Sequence, residues 1–240
     1  SFAVFNSKIY AAVFGRGVVD LSSSGQSVIF PNQLVTSIFA SAHKLWIGTS
    51  GDGLFSYDGN VVRSEAGSDS LKSGTIWKLT EKDGRIWVAG EHGVFAIATG
   101  QVEQIISAED VRDLLVDAND IWVATTTRGV LHARQDKRLG LIVSSIGFEQ
   151  GLPSEKAFST LPVDNQLLIA TNRGVVSYAT GTIPPKLVVS RVLSQRLHDP
   201  SEINSNIALD YPQNSLLVEV AGLSSRTFPE EFQYSFVLTN

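Results

Sequence analysis

The chain has 240 residues, of which 43% are apolar and 18% are charged, so it can bury a hydrophobic core and is neither disordered nor fibrous. Its formal net charge is −5 and it contains no long basic run, which argues against nucleic acid as a partner. Because the sequence contains no cysteine, disulfides, thiolate metal sites and a cysteine nucleophile are excluded.

A short unit recurs along the chain. Its clearest copy, "KLWIGTSGDGLFSYDG", begins at Lys44 and joins two alternating apolar runs through a turn of small residues and a glycine. Related copies begin at Lys8, Arg85, Asp120 and Gln166. The glycine before the second run and the large residue of the first run both recur about every 40 residues, at Gly17, Gly53, Gly93, Gly129 and Gly174 and at Tyr10, Trp46, Trp87, Trp122 and Leu168.

Each copy reads as a β-hairpin, since its apolar residues alternate as they do along a strand. Another short apolar run precedes most copies, at residues 2–5, 34–40, 75–80 and 111–116, and a more variable run such as 100–106 follows. The complete unit is therefore a four-stranded meander of about 40 residues, which is the size of a propeller blade. The sequence predicts an all-β fold, a β-propeller with about five recognisable blade units.

The recurring aromatic residues and glycines are expected to be mainly structural. Trp46, Trp87 and Trp122 occupy the middle of equivalent strands, where the faces of neighbouring blades pack together, although a tryptophan could also stack on a sugar. The repeated glycines are expected to permit a positive φ in a turn rather than to contact a ligand.

One set of polar residues carries a binding hypothesis. The residue before the repeated glycine lies in the turn between the second and third strands, so that all five would emerge on one face of the propeller: Arg16, Asp52, His92, Arg128 and Arg173. Three arginines on that face could bind an anionic ligand such as an acidic oligosaccharide, because guanidinium offers a planar fork to carboxylate or sulfate. The alternative is that turns simply favour polar residues.

Catalysis is not expected. The four histidines, at positions 43, 92, 132 and 198, lack the spacing of metal ligands, and no nucleophile elbow, P-loop or dinucleotide fingerprint is present. Carboxylates are plentiful, but nothing singles out a glycosidase or lyase pair. We predict a protein that is not an enzyme and has no metal and no cofactor.

The recurring pattern around Trp46 and Gly53 resembles the two-component regulator propeller repeat, which is found in the extracytoplasmic sensor regions of bacterial hybrid histidine kinases and related receptors. The copies at Arg85 and Asp120 are recognisable, and the first and fifth copies are degenerate. The segment "FEQGLPSEKAFST", residues 148–160, is similar to the linker before the last blade of that family. The resemblance covers about residues 2–180.

The remainder resembles the opening of the triple-tyrosine domain, an immunoglobulin-like sandwich that follows the propeller in those receptors. Pro184 and Pro185 break the repeat and indicate a boundary, with a propeller at residues 1–182 and a partial sandwich at 183–240. The residues that match are Tyr211, Asn214, Ser215, Phe228, Pro229, Tyr234 and Leu238, whereas Phe236 stands where a second tyrosine is usual.

The resemblance implies a signal-input module, in the periplasmic or extracytoplasmic part of a bacterial membrane receptor. The module would bind an oligosaccharide or another small ligand and relay the change to a cytoplasmic kinase or other output. The membrane helix is expected outside this chain, and a homodimer is compatible with the role. Family members typically carry more blades and a complete sandwich, so we expect a downstream piece of a larger sensor region. The alternative is a propeller scaffold for protein contacts without a small-molecule ligand.

Overall fold

The structure is a computed structural model that describes residues 1–22, 25, 27–164, 166–179, 186–203, 207, 215–223 and 234. The chain divides into two compact units, Ser1–Thr180 and Gly181–Asn240. The predicted boundary between residues 182 and 183, including Pro184 and Pro185, lies outside the described residues and stays a prediction.

The first unit consists of consecutive antiparallel strands. In chain order these are β1 (Phe2–Phe5), β2 (Lys8–Val13), β3 (Gly17–Asp20), β4 (Val28–Pro31), β5 (Val35–Ala40), β6 (Leu45–Asp52), β7 (Leu54–Tyr57), β8 (Val62–Ser64), β9 (Lys72–Lys82), β10 (Arg85–Gly90), β11 (Gly93–Ala98), β12 (Gln101–Ser107), β13 (Val111–Asp117), β14 (Asp120–Thr125), β15 (Val130–Asp136), β16 (Gly140–Ile146), β17 (Ala157–Val163), β18 (Gln166–Thr171) and β19 (Gly174–Ala179). A short 3-10 helix, Ser68–Leu71, precedes β9.

The strands form repeated meanders that correspond to the sequence repeats. We call β1–β4 the first sheet, β5–β8 the second, β9–β12 the third, β13–β16 the fourth and β17–β19 the fifth. The end of β6 also pairs with the start of β9, through Ser50 with Thr75 and Asp52 with Lys72, and so joins the second and third sheets. The predicted four-stranded unit is present in the first four sheets, and three strands of the fifth are described.

The sheets are arranged around their first strands. β1 contacts β5, β5 contacts β9, β9 contacts β13 and β13 contacts β17, so the first strands are innermost. Successive sheets packed in this way have the architecture of β-propeller blades, and the predicted all-β fold class is confirmed.

The alternation of apolar residues explains why the sheets pack face to face. One face of each strand contributes to the core on one side of its sheet, and the other face contributes to the next core. Trp46, Trp87 and Trp122 lie in three successive cores, each between its own sheet and the next, and each is more than 90% buried. Their predicted packing role is confirmed.

The outer faces of the first and fifth sheets expose apolar side chains. On the first sheet, Phe2, Val4 and Ile9 are exposed, whereas Phe5 and Tyr10 pack against the second sheet. On the fifth sheet, Leu161 and Val175 are exposed. These two faces are therefore unlike the faces between sheets, which are buried.

Polar groups tie the innermost strands together. The Thr36 and Ser37 hydroxyls both donate hydrogen bonds to the carbonyl oxygen of Ile76 in the next sheet, at 2.5 and 3.2 Å. Further along, the buried carboxylate of Asp113 forms an ion pair with Lys78 Nζ at 3.1 Å. The same carboxylate accepts hydrogen bonds from Ser159 Oγ at 2.8 Å and Thr160 N at 2.9 Å, so that one side chain connects the third, fourth and fifth sheets.

The described part of the second unit is a pair of antiparallel strands, β20 (Lys186–Leu193) and β21 (Leu217–Leu223), with a short helix, α1 (Pro200–Ile203). Tyr234, one of the residues that match the triple-tyrosine pattern, accepts a hydrogen bond from Gly222 N at 2.8 Å. Of the others, Ser215 is described, and Tyr211, Asn214, Phe228, Pro229, Phe236 and Leu238 lie outside the described residues. The predicted sandwich stays a prediction. Among the helices described here, none has the length and apolar character to cross a membrane.

Candidate functional site

The five predicted binding residues lie in equivalent turns. Each residue lies in, or directly before, the turn that joins the second and third strands of its sheet, and its side chain is exposed: Arg16, Asp52, His92, Arg128 and Arg173. The start of the first strand and the end of the fourth lie at the same end of the sheet, as the pairs Val111 with Thr125 and Gly93 with Ser107 show. We call this end, which also carries the connections between sheets, the crossing face.

Two repeated features shape these turns. A threonine at the end of the second strand donates a side-chain hydrogen bond to the glycine carbonyl, at 2.6 Å for Thr49 and Gly53 and at 3.0 Å for Thr125 and Gly129. The repeated glycines all have a positive φ, which L residues rarely adopt, and a Cβ at Gly93 would collide with the carbonyl oxygen of Ile106. The predicted backbone role of the glycines is confirmed.

The structure brings two of the five residues into one groove. His92 and Arg128 both line a groove of about 660 Å³ on the crossing face, together with Glu91 and Glu109. Arg128 also borders a second groove of about 430 Å³, which includes Glu149 and Glu155. Carboxylates therefore outnumber cationic groups around Arg128, and they oppose the attraction that its guanidinium exerts on an anion.

The other three residues do not line these two grooves. The backbone carbonyl of Arg16 accepts a hydrogen bond from Asn32 N, and Asp52 lies opposite Lys72 in the ladder between β6 and β9. Arg173 N donates a hydrogen bond to Thr171 Oγ1 within its own turn. The predicted ring of five residues is thus spread over separate turns, and its binding role stays a prediction.

Sequence reasoning missed a second repeated position on the crossing face. The innermost strand of the second, third, fourth and fifth sheets contains a register shift with one extra residue close to the crossing face: Thr36, Trp77, Arg112 and Phe158. Such bulges redirect a side chain and are enriched beside functional sites. The innermost strands thus add an indole, a guanidinium and a phenyl ring to this face.

Two of the bulge residues are in contact. The Arg112 guanidinium lies 4.0 Å from the centre of the Trp77 ring and forms a 2.9 Å ion pair with Asp110. Thr126, in the turn that carries Arg128, also donates a hydrogen bond to the Asp110 carboxylate. Burial alone would raise the pKa of Asp110, but the hydrogen bonds from Thr126 and Arg112 lower it overall, so the Asp110 carboxylate is ionised at neutral pH. The Nε of Arg112 is buried and, among the described residues, has no hydrogen-bond partner.

An alignment of the first strands would have contained the signal for these residues. Thr36 follows Val35, Arg112 follows Val111 and Trp77 follows Ile76, so each stands one place after a buried apolar residue in the run before the hairpin. The alternation of apolar residues hides them, because a bulge inserts a residue that breaks the period of two.

The crossing face carries groups that can bind a polar ligand. Planar guanidinium and indole groups, hydroxyls and carboxylates are all present on the crossing face, and these are groups that orient a polar ligand. Among the residues that the structure describes, no cluster of three or more His, Asp or Glu side chains could hold a metal ion.

Comparison with known proteins supports the fold. No family model and no curated protein matches the chain. A solved structure that it resembles is the extracellular domain of BT4673 from B. thetaiotaomicron, which is described both as a hybrid two-component system and as a one-component system. The TM-score is 0.53 at 21% identity, over 61% of this chain and 20% of that one, so this chain spans about a fifth of its length.

The WD40 β-propeller domain of Doa1 is also similar, with a TM-score of 0.58 at 16% identity over 74% of this chain and 63% of that one. At such identities these likenesses show a shared β-propeller architecture and carry no residue-level assignment.

Proposed function

We propose that this chain is part of the ligand-sensing, extracytoplasmic region of a bacterial membrane receptor, and that its ligand binds on the crossing face. The observation that carries the proposal is that the Asp110 carboxylate contacts side chains from two parts of the crossing face. The Arg112 and Trp77 pair comes from the innermost strands, and Thr126 comes from the turn that carries Arg128. One surface therefore combines a stacked guanidinium with exposed turn residues.

The comparisons support a sensing role without assigning a ligand. The likeness to the extracellular domain of BT4673 agrees with the recurring motif, which resembles the propeller repeats of sensor regions. In this proposal the residues after about 182 relay the bound state towards a membrane helix and a cytoplasmic kinase or other output outside this chain.

The ligand that suits the crossing face is an oligosaccharide or another small polar molecule. An indole packs against the apolar face of a sugar ring, and guanidinium and carboxylate groups hydrogen-bond its hydroxyls. The carboxylates around Arg128 reduce the advantage of an acidic ligand over a neutral one, so both classes belong in the same test.

The experiment is a thermal-shift screen of the purified chain against neutral and acidic oligosaccharides, since a ligand that binds only the folded state raises the melting temperature. We expect Arg112→Ala and Arg128→Ala to reduce the shift given by the best ligand, and Lys137→Ala, in a turn at the opposite end of the fourth sheet, to leave it unchanged. Equal shifts for all three variants would refute binding on the crossing face.

A protein-binding scaffold is the second candidate, and the exposed apolar faces of the first and fifth sheets favour it. Phe2 and Val4 are 74% and 66% exposed, and Val175 is 69% exposed, which is typical of surfaces that contact other proteins. A scaffold would give no shift with any saccharide. Its association would instead depend on these faces, so that Val4→Ser or Val175→Ser would weaken binding of a protein partner while Arg112→Ala would not.

A further inference from the structure

The same tryptophan position has different surroundings in three successive interfaces. The Trp46 ring lies beneath the Lys44 ammonium, 5.0 Å from the ring centre, and its Nε1 donates a hydrogen bond to Ser41 Oγ at 3.3 Å. The Trp122 ring is stacked against the His132 ring, with centres 3.8 Å apart and planes at 6°. Each of these two indoles is therefore covered by a neighbouring side chain.

Among the described residues, neither a cation nor an aromatic ring is stacked on Trp87. Its cross-strand partner is Ala96, whereas Trp46 faces Ser56 and Trp122 faces His132. The Nε1 of Trp87 is buried and, within the described part of the chain, lacks a hydrogen-bond partner. The ring borders a cleft of about 460 Å³ between the third and fourth sheets, which we call the Trp87 cleft.

The Trp87 cleft has the size and lining of a small-molecule site. Its volume lies within the range of about 300 to 1,000 Å³ that is usual for ligand pockets. Ile105, Val116 and Leu141 give it apolar walls, and the amides of Asn119 and Gln135 lie at its border. It opens beside the turn between β9 and β10 and the turn between β13 and β14, so it is at the opposite end of the sheets from the crossing face.

The charges in the cleft favour a cation. Three carboxylates, those of Asp83, Glu103 and Asp117, line it, against the single guanidinium of Arg85. Asp117 is paired with Lys82 at 3.6 Å, while Asp83 and Glu103 form no ion pair among the described residues. The lining therefore stays negative after the one ion pair is counted.

We propose that the Trp87 cleft binds a small hydroxylated amine, such as an amino sugar. The ammonium pairs with Asp83 or Glu103, the carbon skeleton packs on Ile105 and Leu141, and the amides of Asn119 and Gln135 hydrogen-bond hydroxyl groups. This site is separate from the crossing face, and the proposal goes beyond the sensing role assigned to that face.

The test uses three monosaccharides that share one ring and differ in charge: glucosamine, glucose and glucuronate. Calorimetric titration of the full chain in mildly acidic buffer, in which the amine is protonated, should show glucosamine binding about fivefold more tightly than glucose, and glucuronate more weakly than both. The difference should shrink as salt is added, because it arises from charge. Equal affinity for the three sugars, or no saturable binding of glucosamine, would overturn the proposal.

Substitutions locate the binding. Glu103→Gln and Asp83→Asn preserve shape at exposed positions. The substitution that removes the paired carboxylate should weaken glucosamine binding about fivefold, and both should leave glucose binding unchanged. Asp164→Asn, in the turn between β17 and β18 and outside the cleft and both grooves, is the matched control and should have no effect. A loss of equal size with the control would place the ligand elsewhere and also overturn the proposal. Failure at the Trp87 cleft leaves the crossing face untouched, since Arg112→Ala and Arg128→Ala test that face independently.

Discussion

Two neighbouring interfaces, one between the third and fourth sheets and one between the fourth and fifth, each contain a tryptophan at the same position of the repeat. The surroundings of the two tryptophans differ. Trp87 and Trp122 occupy equivalent places in the repeat, and both are more than 90% buried. His132 is stacked on the Trp122 ring, whereas Ala96 lies opposite Trp87. The interface that contains Trp87 opens into a cleft, and the interface that contains Trp122 is closed. The packing tryptophan is thus the same in both interfaces, while the residue opposite it in the ladder differs.

The largest expected effect is that of Trp122→Ala. Removing a ring that stacks on His132 and meets Tyr178 edge-on should lower the free energy of unfolding by about 3–5 kcal/mol. Trp87→Ala should cost less, because part of its ring already borders open space. Guanidinium unfolding followed by circular dichroism measures both, and equal losses would contradict the proposed difference between the two interfaces.

The Asp113 side chain belongs to both interfaces, since its carboxylate connects the fourth sheet to the third and the fifth. Asp113→Ala should cost about 2–3 kcal/mol, because the buried Thr160 N loses its acceptor and Ser159 Oγ loses a hydrogen bond. Lys78→Ala should cost less than about 1 kcal/mol, since the lysine side chain is 47% exposed. The same denaturation assay compares the two variants, and a larger cost for the lysine would show that the ion pair rather than the hydrogen bonds holds the sheets together.

The pH dependence of stability tests the surroundings of His132 in the interface between the fourth and fifth sheets. Burial lowers the pKa of His132, although its hydrogen bond to Asp120, at 2.6 Å, acts in the opposite direction and Arg134 shares that carboxylate. Because folding lowers this pKa, the folded chain binds fewer protons than the unfolded chain once the pH falls below the ordinary histidine value of 6.5. The free energy of unfolding should therefore decrease as the pH falls below about 6.5.

His132→Gln should flatten that decrease, and melting temperatures measured between about pH 8 and pH 5 would reveal it. His43→Gln, at an exposed position of the second sheet, is the control and should leave the slope as it is. A slope that is identical in the wild type and His132→Gln would assign the pH dependence to other groups.

The smallest expected effect is at the interface between the second and third sheets, where the Lys44 side chain covers the Trp46 ring. Lys44→Ala removes a cation 5.0 Å from the ring and should cost about 0.5–1 kcal/mol. Lys44→Gln separates the charge from the packing of the aliphatic stem. Thermal unfolding of the two variants would show whether the cover depends on charge, and a stabilised Lys44→Ala variant would contradict a role for the lysine as a cover.

The sequence predicts the sheets better than it predicts the sites, and particular residues show why. The alternation around Trp46 and the spacing of Gly53 and Gly93 report local periodicity and turn geometry, so they locate strands, turns and the packing tryptophans. Arg112 and Trp77 were missed because a bulge breaks that periodicity. The Trp87 cleft depends on the register of Trp87 with Ala96 and on side chains of two sheets, which no local pattern contains.

The hypothesis of an anionic ligand shows the same limit. Arg128 was identified from its place before Gly129, but the charges that surround it come from Glu91 and Glu109, in earlier connections, and from Glu149 and Glu155, in a later one. The electrostatic potential at a site is the sum of the contributions of all charged residues that folding brings together. The position of one residue within a repeat therefore does not determine it.

The order of contacts among the innermost strands also governs how the first unit opens. Each of these strands contacts the next, from β1 through β5, β9 and β13 to β17, and the outer faces of the first and fifth sheets are exposed. Amide hydrogens of the third sheet should therefore exchange with solvent most slowly, and those of β1 and β19 fastest, because an end sheet can detach by losing one interface whereas an inner sheet must lose two. A ligand in the Trp87 cleft, between the third and fourth sheets, would thus bind to the part of the chain that unfolds last.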